Sequence, residues 1–240
     1  MGTDAQKQLL SKELYEEGQV VLIDKPRTWT SFDVIRRMRR LTGVKKIGHA
    51  GTLDPLATGL LIVCTGRFTK KINEYMAQVK EYTGSIYLGA TTPTFDLESE
   101  PEHFRPIGEL NTETINASLQ QFTGVIQQHP PIHSAIKQDG QRLYTLARQG
   151  IEVKTKAREV TVYSFEITHF NLPEISFKVV CSTGTYIRSL ANDLGAALGC
   201  GGYLSSLRRT RIGHFNVDDA IRIEEIEMSS GDQKGKPMPS

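Results

Sequence analysis

The chain has 240 residues, of which 38% are hydrophobic and 23% charged, and its formal net charge is +2. This length and apolar content suffice for the core of one large domain and exclude a disordered chain. The sequence has no apolar run of about 18 residues and no N-terminal signal segment, so it predicts a cytoplasmic protein. Its three cysteines, Cys64, Cys181 and Cys200, form no short-spacing pair, which favours a reducing compartment without disulfide bonds.

The first predicted elements are a strand and an amphipathic helix. The apolar residues 20–23 form a short strand that ends before Pro26. Thr30, with Asp33 three residues later, has the spacing of a capping box, and Gly43 ends the helix that follows. The helix is expected to bury Ile35, Met38 and Leu41.

The segment from residue 25 to residue 49 is strongly basic. It contains eight Lys or Arg residues and one acid, Asp33, which is a local charge of +7. Lys and Arg neutralise phosphates in nucleic-acid complexes, so we expect Arg36 and Arg40, off the buried stripe, to contact an RNA backbone. The alternative is an ordinary solvated helix face.

One carboxylate lies in a glycine-rich segment ahead of a hydrophobic strand. Asp54 precedes Pro55, which restricts its backbone, and three glycines border this short stretch at positions 48, 51 and 59. The pattern fits an isolated catalytic acid on a stiff turn. An ordinary Asp-Pro turn is the alternative.

The middle of the chain is predicted to alternate between strands, helices and loops. In order, these are a strand over 60–64, a helix over 68–77, a strand over 80–90, an exposed loop over 91–108 and a helix over 112–122. Residues 126–156 contain a Pro-Pro turn, basic residues and a short helix over 143–148, and we expect this segment to move on binding.

The C-terminal part contains the clearest strand, over 175–181, followed by a helix that starts near Thr185. Arg188 falls in the first turn of this helix, where a cation is unfavourable, so it requires an acidic partner. A surface arginine paired with any nearby acid is the alternative. The basic residues 208–211 are expected to form a cluster before a strand over 212–215.

No metal or cofactor site is expected. His129 and His133 have the spacing of a zinc pair on a helix, but the two intervening prolines exclude that helix. The sequence has no Walker loop and no dinucleotide-binding fingerprint.

Several segments together resemble the TruB family of tRNA pseudouridine synthases over roughly residues 18 to 225. The longest is Gly48-His49-Ala50-Gly51-Thr52-Leu53-Asp54-Pro55-Leu56-Ala57-Thr58-Gly59. The others are Asp24-Lys25-Pro26, Thr30-Ser31-Phe32-Asp33, Lys80-Glu81-Tyr82, Ser134-Ala135-Ile136-Lys137 and the run from Cys181 to Leu190. His133 stands where the family pattern has an aromatic residue.

The resemblance implies an α+β fold with a central, mostly antiparallel sheet flanked by helices and RNA-binding insertions. It suggests an N-terminal extension over 1–17, a catalytic domain over 18–228 with an RNA-gripping insertion at 126–156, and a disordered tail over 229–240. Longer members carry a C-terminal RNA-binding domain of the PUA type, for which we expect no room here.

The resemblance also implies the reaction, the isomerisation of uridine 55 in the T arm of tRNA to pseudouridine, without a cofactor. Asp54 is the implied nucleophile, Arg188 its partner and Tyr82 the residue that stacks on the flipped base; attack at C1′ and attack at C6 both stay open. Further implied contacts to the substrate are His49, Tyr186, Leu207 and Lys25. Arg208, in the second basic cluster, is expected to contact the RNA backbone.

The expected partner is the T-arm stem-loop of tRNA, bound by a monomer that needs no protein partner. Two alternatives are kept. One is a guide-RNA-dependent synthase subunit of the box H/ACA type, and the other is a noncatalytic RNA-binding or RNA-remodelling protein of the same fold.

Overall fold

The computed structural model describes residues 11–132, 137–138, 141–142 and 155–226. The chain divides into two compact units. Unit 1 comprises Met1–Glu81 and Arg208–Ser240, and unit 2 comprises Tyr82–Leu207. The predicted helix over 143–148, the ring of His133 and the predicted tail over 229–240 lie outside the described residues.

Five α-helices and twelve strands are interspersed along the part of the chain that the structure describes. The α-helices are α1 (Lys12–Glu17), α2 (Ser31–Thr42), α3 (Ile72–Ala77), α4 (Thr112–Leu119) and α5 (Ile187–Ala197). The strands are β1 (Val20–Lys25), β2 (Ile47–Ala50), β3 (Thr58–Thr65), β4 (Lys80–Leu88), β5 (Gly124–Gln128), β6 (Lys137–Gln138), β7 (Gln141–Arg142), β8 (Arg158–Asn171), β9 (Glu174–Cys181), β10 (Gly202–Ile212), β11 (Phe215–Asn216) and β12 (Ile221–Arg222). Short 3-10 helices cover Gly66–Lys71, Gln120–Phe122 and Val217–Asp219.

The sheet of unit 1 has the strand order β12-β1-β3-β10, with β2 paired to β3 and β11 paired to β10. Its β1 runs antiparallel to β3 and parallel to β12, and β10 runs parallel to β3 and antiparallel to β11. In unit 2 the order is β10-β4-β9-β8-β5, with β8 antiparallel to both β9 and β5. The predicted mixed fold with a mostly antiparallel sheet is therefore confirmed.

Helix α2 provides much of the core of unit 1. Thr30 caps it in a complete capping box with Asp33, and Gly43 closes it in the left-handed conformation, as predicted. Its buried side chains pack against those of β1 and β3. The N-terminal helix α1 adds the buried Tyr15 to the same core, a contribution that the sequence analysis did not predict.

In unit 2 the alternation predicted for β9 is observed. Ile175, Phe177, Val179 and Cys181 are all buried, because successive side chains of a strand point to opposite faces of the sheet. The predicted helix after residue 112 also forms, and it buries Ile115 and Leu119.

Several boundaries differ from the predictions. The glycine-rich string is a loop only over 51–57, because its ends belong to β2 and β3. The basic residues 208–211 lie within β10 rather than before a strand. Residues 91–108 are not uniformly exposed, since Thr92, Thr94 and Asp96 are buried. Residues 126–128 complete the edge strand β5, whose backbone bonds to β8.

All three cysteines carry free thiols, in agreement with the sequence analysis. Among the described residues, no cluster of three or more His, Cys, Asp or Glu side chains is placed to hold a metal ion. Within the same residues, no helix has the length and apolarity needed to cross a membrane.

Candidate functional site

Asp54 lies in the loop between β2 and β3, with a half-buried side chain. Ser31, at the start of α2, fixes the preceding residue: its Oγ accepts a hydrogen bond from the Leu53 N–H (2.9 Å) and donates to the Leu53 carbonyl (3.2 Å). The Ala57 N–H donates to the Asp54 carbonyl at 3.1 Å. The acid is therefore held on an ordered turn, as the sequence predicted.

Lys25 is buried beneath this loop, with no exposed surface. Its Nζ donates to the carbonyls of Pro26 (2.9 Å), Trp29 (2.5 Å) and Pro55 (3.2 Å), so it binds the residue that follows Asp54. Burial lowers the pKa of Lys25 to about 8, and the Asp54 carboxylate opposes that shift. Lys25 thus acts inside unit 1 as a support for the acid and part of its electrostatic environment.

Arg209 supports the same loop from β10 and is only 1% exposed. Its Nε donates to the Leu60 carbonyl at 2.8 Å and its Nη2 to the Gly51 carbonyl at 3.0 Å. These two acceptors flank the loop, so the arginine ties its two ends together. The sequence analysis grouped Arg209 with a basic cluster before a strand, and it missed this role because the carbonyl partners lie far away in the sequence.

Gly59 is required where β3 passes β10. Its φ is +101°, and a Cβ at this position would lie 2.3 Å from the Arg209 carbonyl oxygen. Any larger residue would therefore displace the backbone that carries the Arg209 support.

His49 lies on β2 and is half-buried. Burial first, and then the positive charge of Arg209, lower its pKa, while the backbone of Gly51 opposes the shift. Both effects favour the neutral ring. Its Nδ1 is buried and, among the described residues, has no hydrogen-bond partner.

The three arginines that are predicted to contact the RNA backbone differ in their exposure and in their ion pairs. Arg36 is exposed on α2, forms an ion pair with Asp33 and lies over the exposed Phe32 ring at 6.0 Å. Arg40 is exposed in the last turn of the same helix. Arg208 instead forms a bidentate ion pair with Asp24, at 3.0 and 2.7 Å, which offsets much of its charge.

The remaining predicted contacts to the base belong to unit 2. Tyr82 lies on β4 and is 9% exposed, Tyr186 is half-buried at the N-terminus of α5, and Leu207 is half-buried on β10. Tyr186 and Leu207 thus keep an accessible fraction, whereas Tyr82 is a buried residue.

Arg188 lies in the first turn of α5, as predicted, and is 4% exposed. Its Nη1 donates to the Thr94 carbonyl at 3.0 Å, and its Nε lies 3.7 Å from a carboxylate oxygen of Asp96. The sequence analysis required an acidic partner for Arg188 and named Asp54, which belongs to unit 1. Pairing of Arg188 with Asp54 stays a prediction.

Asp96 is a partner of Arg188 that the sequence analysis missed, because it placed residue 96 in an exposed loop. The loop folds back on itself: the hydroxyls of Thr92 and Thr94 both donate to the Asp96 carbonyl, and its carboxylate accepts from the Glu98 N–H at 3.0 Å. Two threonines and an aspartate at alternate positions were the available signal, since such side chains bond to nearby backbone.

Comparison with known proteins identifies the relatives of this chain. Residues 39–187 match the N-terminal domain of the TruB family of pseudouridylate synthases, and residues 188–236 match the C-terminal domain of tRNA pseudouridylate synthase B. The chain belongs to the TruB family. The resemblance drawn from the glycine-rich string is thereby confirmed.

A curated TruB-family relative, the tRNA pseudouridine synthase B of Flavobacterium johnsoniae, is 53% identical over 227 residues, which cover 92% of this chain and 99% of that protein. Among solved structures, a chain in a Cbf5-Nop10-Gar1 complex has a TM-score of 0.72 and 28% identity, covering 95% of this chain and 60% of that one. A chain in the archaeal box H/ACA sRNP Nop10-Cbf5 complex has a TM-score of 0.69 and 27% identity, covering 96% of this chain and 59% of that one.

Proposed function

We propose that this TruB-family protein isomerises uridine to pseudouridine in tRNA, at position 55 of the T arm, with Asp54 as the nucleophile. The observation that carries the proposal is the 53% identity, over nearly the full length of both chains, to a protein named tRNA pseudouridine synthase B. The ordered turn that holds Asp54 supports the assignment of the nucleophile.

The reaction needs a carboxylate that is ionised and fixed in direction. Asp54 attacks either C1′ of the ribose or C6 of the base, and the N-glycosidic bond breaks. The base turns and its C5 bonds to C1′, and the Asp54 carboxylate is released from C1′ or from C6. The proton on C5 leaves to a base and then to water, while N1 takes up one proton from water. Substrate and product are isomers, so atoms and electrons balance without a co-reactant.

Two kinds of support prepare Asp54 for this attack. Lys25 and Arg209 hold the loop through the carbonyls of Pro55, Gly51 and Leu60, so the carboxylate needs little reorganisation. Arg188 supplies a guanidinium for the ionised carboxylate in the substrate complex, while Asp96 and Thr94 fix its orientation.

A uridine inside a folded RNA arm must leave its stack before a side chain can reach it. Tyr82 stacks on the flipped base, Tyr186 and Leu207 line the pocket around it, and the neutral His49 ring offers a hydrogen bond to the rearranged RNA. The exposed Arg36 and Arg40 contact phosphates along α2, together with Arg208 where its pair with Asp24 exchanges for a phosphate.

The test uses a T-arm stem-loop transcript with tritium at C5 of its uridines. Formation of the C5–C1′ bond displaces this tritium, so label appears in water in proportion to pseudouridine formed. Release from the wild-type stem-loop, and none from a transcript with cytidine at position 55, is the expected result. Absence of release from both transcripts would contradict the proposal.

A guide-RNA-dependent activity is the second candidate, favoured by the structural similarity to a chain of the archaeal box H/ACA complex. The same assay separates the two, because it contains only this protein and the tRNA fragment. Release that requires an added guide RNA would support the second candidate, and binding without any release would support a noncatalytic RNA-binding protein.

A further inference from the structure

Gln128, the last residue of β5, makes an unusual pair of hydrogen bonds within unit 2. Its side chain is only 2% exposed, and a buried carboxamide needs partners for both its carbonyl and its NH₂ group. Both partners belong to one residue: Oε1 accepts from the Tyr186 N–H at 2.8 Å, and Nε2 donates to the Tyr186 carbonyl at 3.0 Å. One side chain thus fixes the peptide groups on both sides of Tyr186.

Tyr186 is the residue from which α5 starts. This helix receives no side-chain hydrogen bond from its own N-cap residue, so Gln128 takes over part of the capping from a distant strand. The next residue strengthens the link, because the His129 carbonyl accepts from the Ser189 hydroxyl at 2.8 Å. The end of β5 therefore binds the first turn of α5 at three points.

This anchored turn carries two residues of the proposed active site. The side chain of Tyr186 projects from the anchored residue itself, and Arg188 follows two positions later, in its buried contacts with Thr94 and Asp96. Because rotation about the backbone at the start of a helix changes the direction of every following side chain, the bonds to Tyr186 also set the position of the Arg188 guanidinium.

We propose that Gln128 is a positioning residue for the isomerisation, acting on Tyr186 and Arg188 through the backbone. This inference rests on the proposed function, and it concerns the rate of the chemical step more than the affinity for RNA. Gln128 also lies at the start of the predicted insertion over 126–156. It therefore connects the beginning of that segment to the helix that carries Arg188.

Two substitutions test the proposal, with a matched control at an exposed glutamine. Gln128→Met keeps the length of the side chain and removes both hydrogen bonds. Gln128→Glu keeps the acceptor for the Tyr186 N–H, but when ionised it places a negative oxygen against the Tyr186 carbonyl. The control is Gln120→Glu, the same chemical change at an exposed position outside the predicted insertion.

The measurements are the single-turnover rate of tritium release with enzyme in excess, the Kd for tRNA, and the unfolded fraction. We expect Gln128→Met to lower the single-turnover rate by at least about tenfold, the factor expected for losing well-oriented hydrogen bonds. The Kd should stay within a few fold of the wild-type value, and Gln120→Glu should match the wild type in both.

Gln128→Glu provides a pH readout that a general loss of stability would not produce. Its carboxyl group is buried beside a carbonyl oxygen, which raises its pKa, and its protonated form again donates to Tyr186. As the pH falls from about 8 to about 6, the rate of Gln128→Glu relative to wild type should therefore recover, while the ratio for Gln120→Glu stays constant. The wild type and the two Glu variants share the same charged and titratable groups around residue 128, so the effects of these groups cancel in the ratios. The groups are Arg158, Glu159, His129, Asp193 and Arg188.

Failure of the positioning role and failure of the proposed function give different results. Wild-type rates in both Gln128 variants, a weaker Kd with an unchanged rate, or a pH-independent ratio for folded Gln128→Glu would each overturn the positioning role. If Gln128→Met does not fold, the ratio for Gln128→Glu decides alone. A wild-type protein that releases no tritium overturns the proposed function instead.

Discussion

The guanidinium of Arg188 and the carboxylate of Asp96 form a buried ion pair, with 3.7 Å between Nε and Oδ2. Each side chain is about 5% exposed, so neither charge is solvated by bulk water. A buried arginine without a paired acid would be strongly unfavourable, and the acid supplied here comes from the loop after β4. Arg188 is thus fixed within unit 2 before any substrate binds.

Substituting Asp96 tests this relationship. Asp96→Asn keeps the shape and removes the charge, so we expect a loss of unfolding free energy on the order of 3 kcal/mol together with a slower single-turnover rate. Urea denaturation and tritium release measure the two effects. Glu100→Gln, at an exposed position of the same loop, is the matched control and should change neither. An unchanged rate in Asp96→Asn would remove the ion pair from catalysis.

Substituting Asp54 tests the nucleophile. Asp54→Asn should abolish tritium release, because an amide cannot form the covalent bond, and should leave the Kd for tRNA within a few fold. The same change at the exposed Asp218 should leave both values unchanged. Turnover by Asp54→Asn comparable to wild type would contradict the assignment.

The α2 surface is tested by the salt dependence of RNA binding. The binding constant K for RNA falls as salt rises, and each phosphate contact that is lost should reduce the steepness of log K against log salt by about 1. The double substitution Arg36→Ala with Arg40→Ala should therefore reduce it by about 2. The ion pair of Arg36 with Asp33 competes with a phosphate and makes Arg36 the smaller contributor. Arg222→Ala, at an exposed position, controls for net charge. An unchanged slope in the double variant would exclude α2 from the interface.

The lowered pKa of Lys25 predicts how stability changes with pH. The pKa of Lys25 is about 8 in the folded protein and 10.5 when the side chain is fully solvated. Between these two pH values the unfolded state therefore binds more protons than the folded state. Wild-type stability relative to Lys25→Met should therefore rise as the pH increases from about 8 to about 10, by an amount on the order of 1 kcal/mol per unit of pKa shift.

Urea denaturation of both proteins across this range measures the difference, and groups common to both cancel. Below about pH 8 the difference should be constant, since Lys25 is then protonated in both states. A difference that falls with rising pH would show that the pKa of Lys25 is raised rather than lowered.

The close approach of β3 to β10 predicts different costs for two alanine substitutions. Gly59 and Gly108 both have positive φ, +101° and +69°, but only at Gly59 would a Cβ meet backbone, whereas nothing lies within 4 Å of one at Gly108. Gly108→Ala should then lose about 1 kcal/mol of unfolding free energy, which is the cost of a positive φ in a residue that has a Cβ. Gly59→Ala should be clearly more destabilising in the same denaturation experiment and should slow tritium release. Equal stability losses would show that the contact with Arg209 relaxes freely.

Local signals in the sequence predicted most elements correctly. The capping box at Thr30, the alternation in β9 and the left-handed Gly43 are determined by residues within one or two turns of each other, and they fold as expected. The prediction of an exposed loop over 91–108 was wrong for Thr92, Thr94 and Asp96, because polarity alone does not reveal that the loop folds back on itself and buries them.

The amino-acid sequence alone was enough to identify the family and to predict the reaction, since an ordered string of side chains around Asp54 is specific without any coordinates. Only the tertiary structure decided which groups each Lys and Arg side chain contacts. Lys25 and Arg209 became internal supports of a loop, Arg208 became a partner of Asp24, and Arg36 stayed at the surface. The physical reason is that the role of a charge depends on the groups that face it, and folding brings those groups from strands and loops far away in the chain.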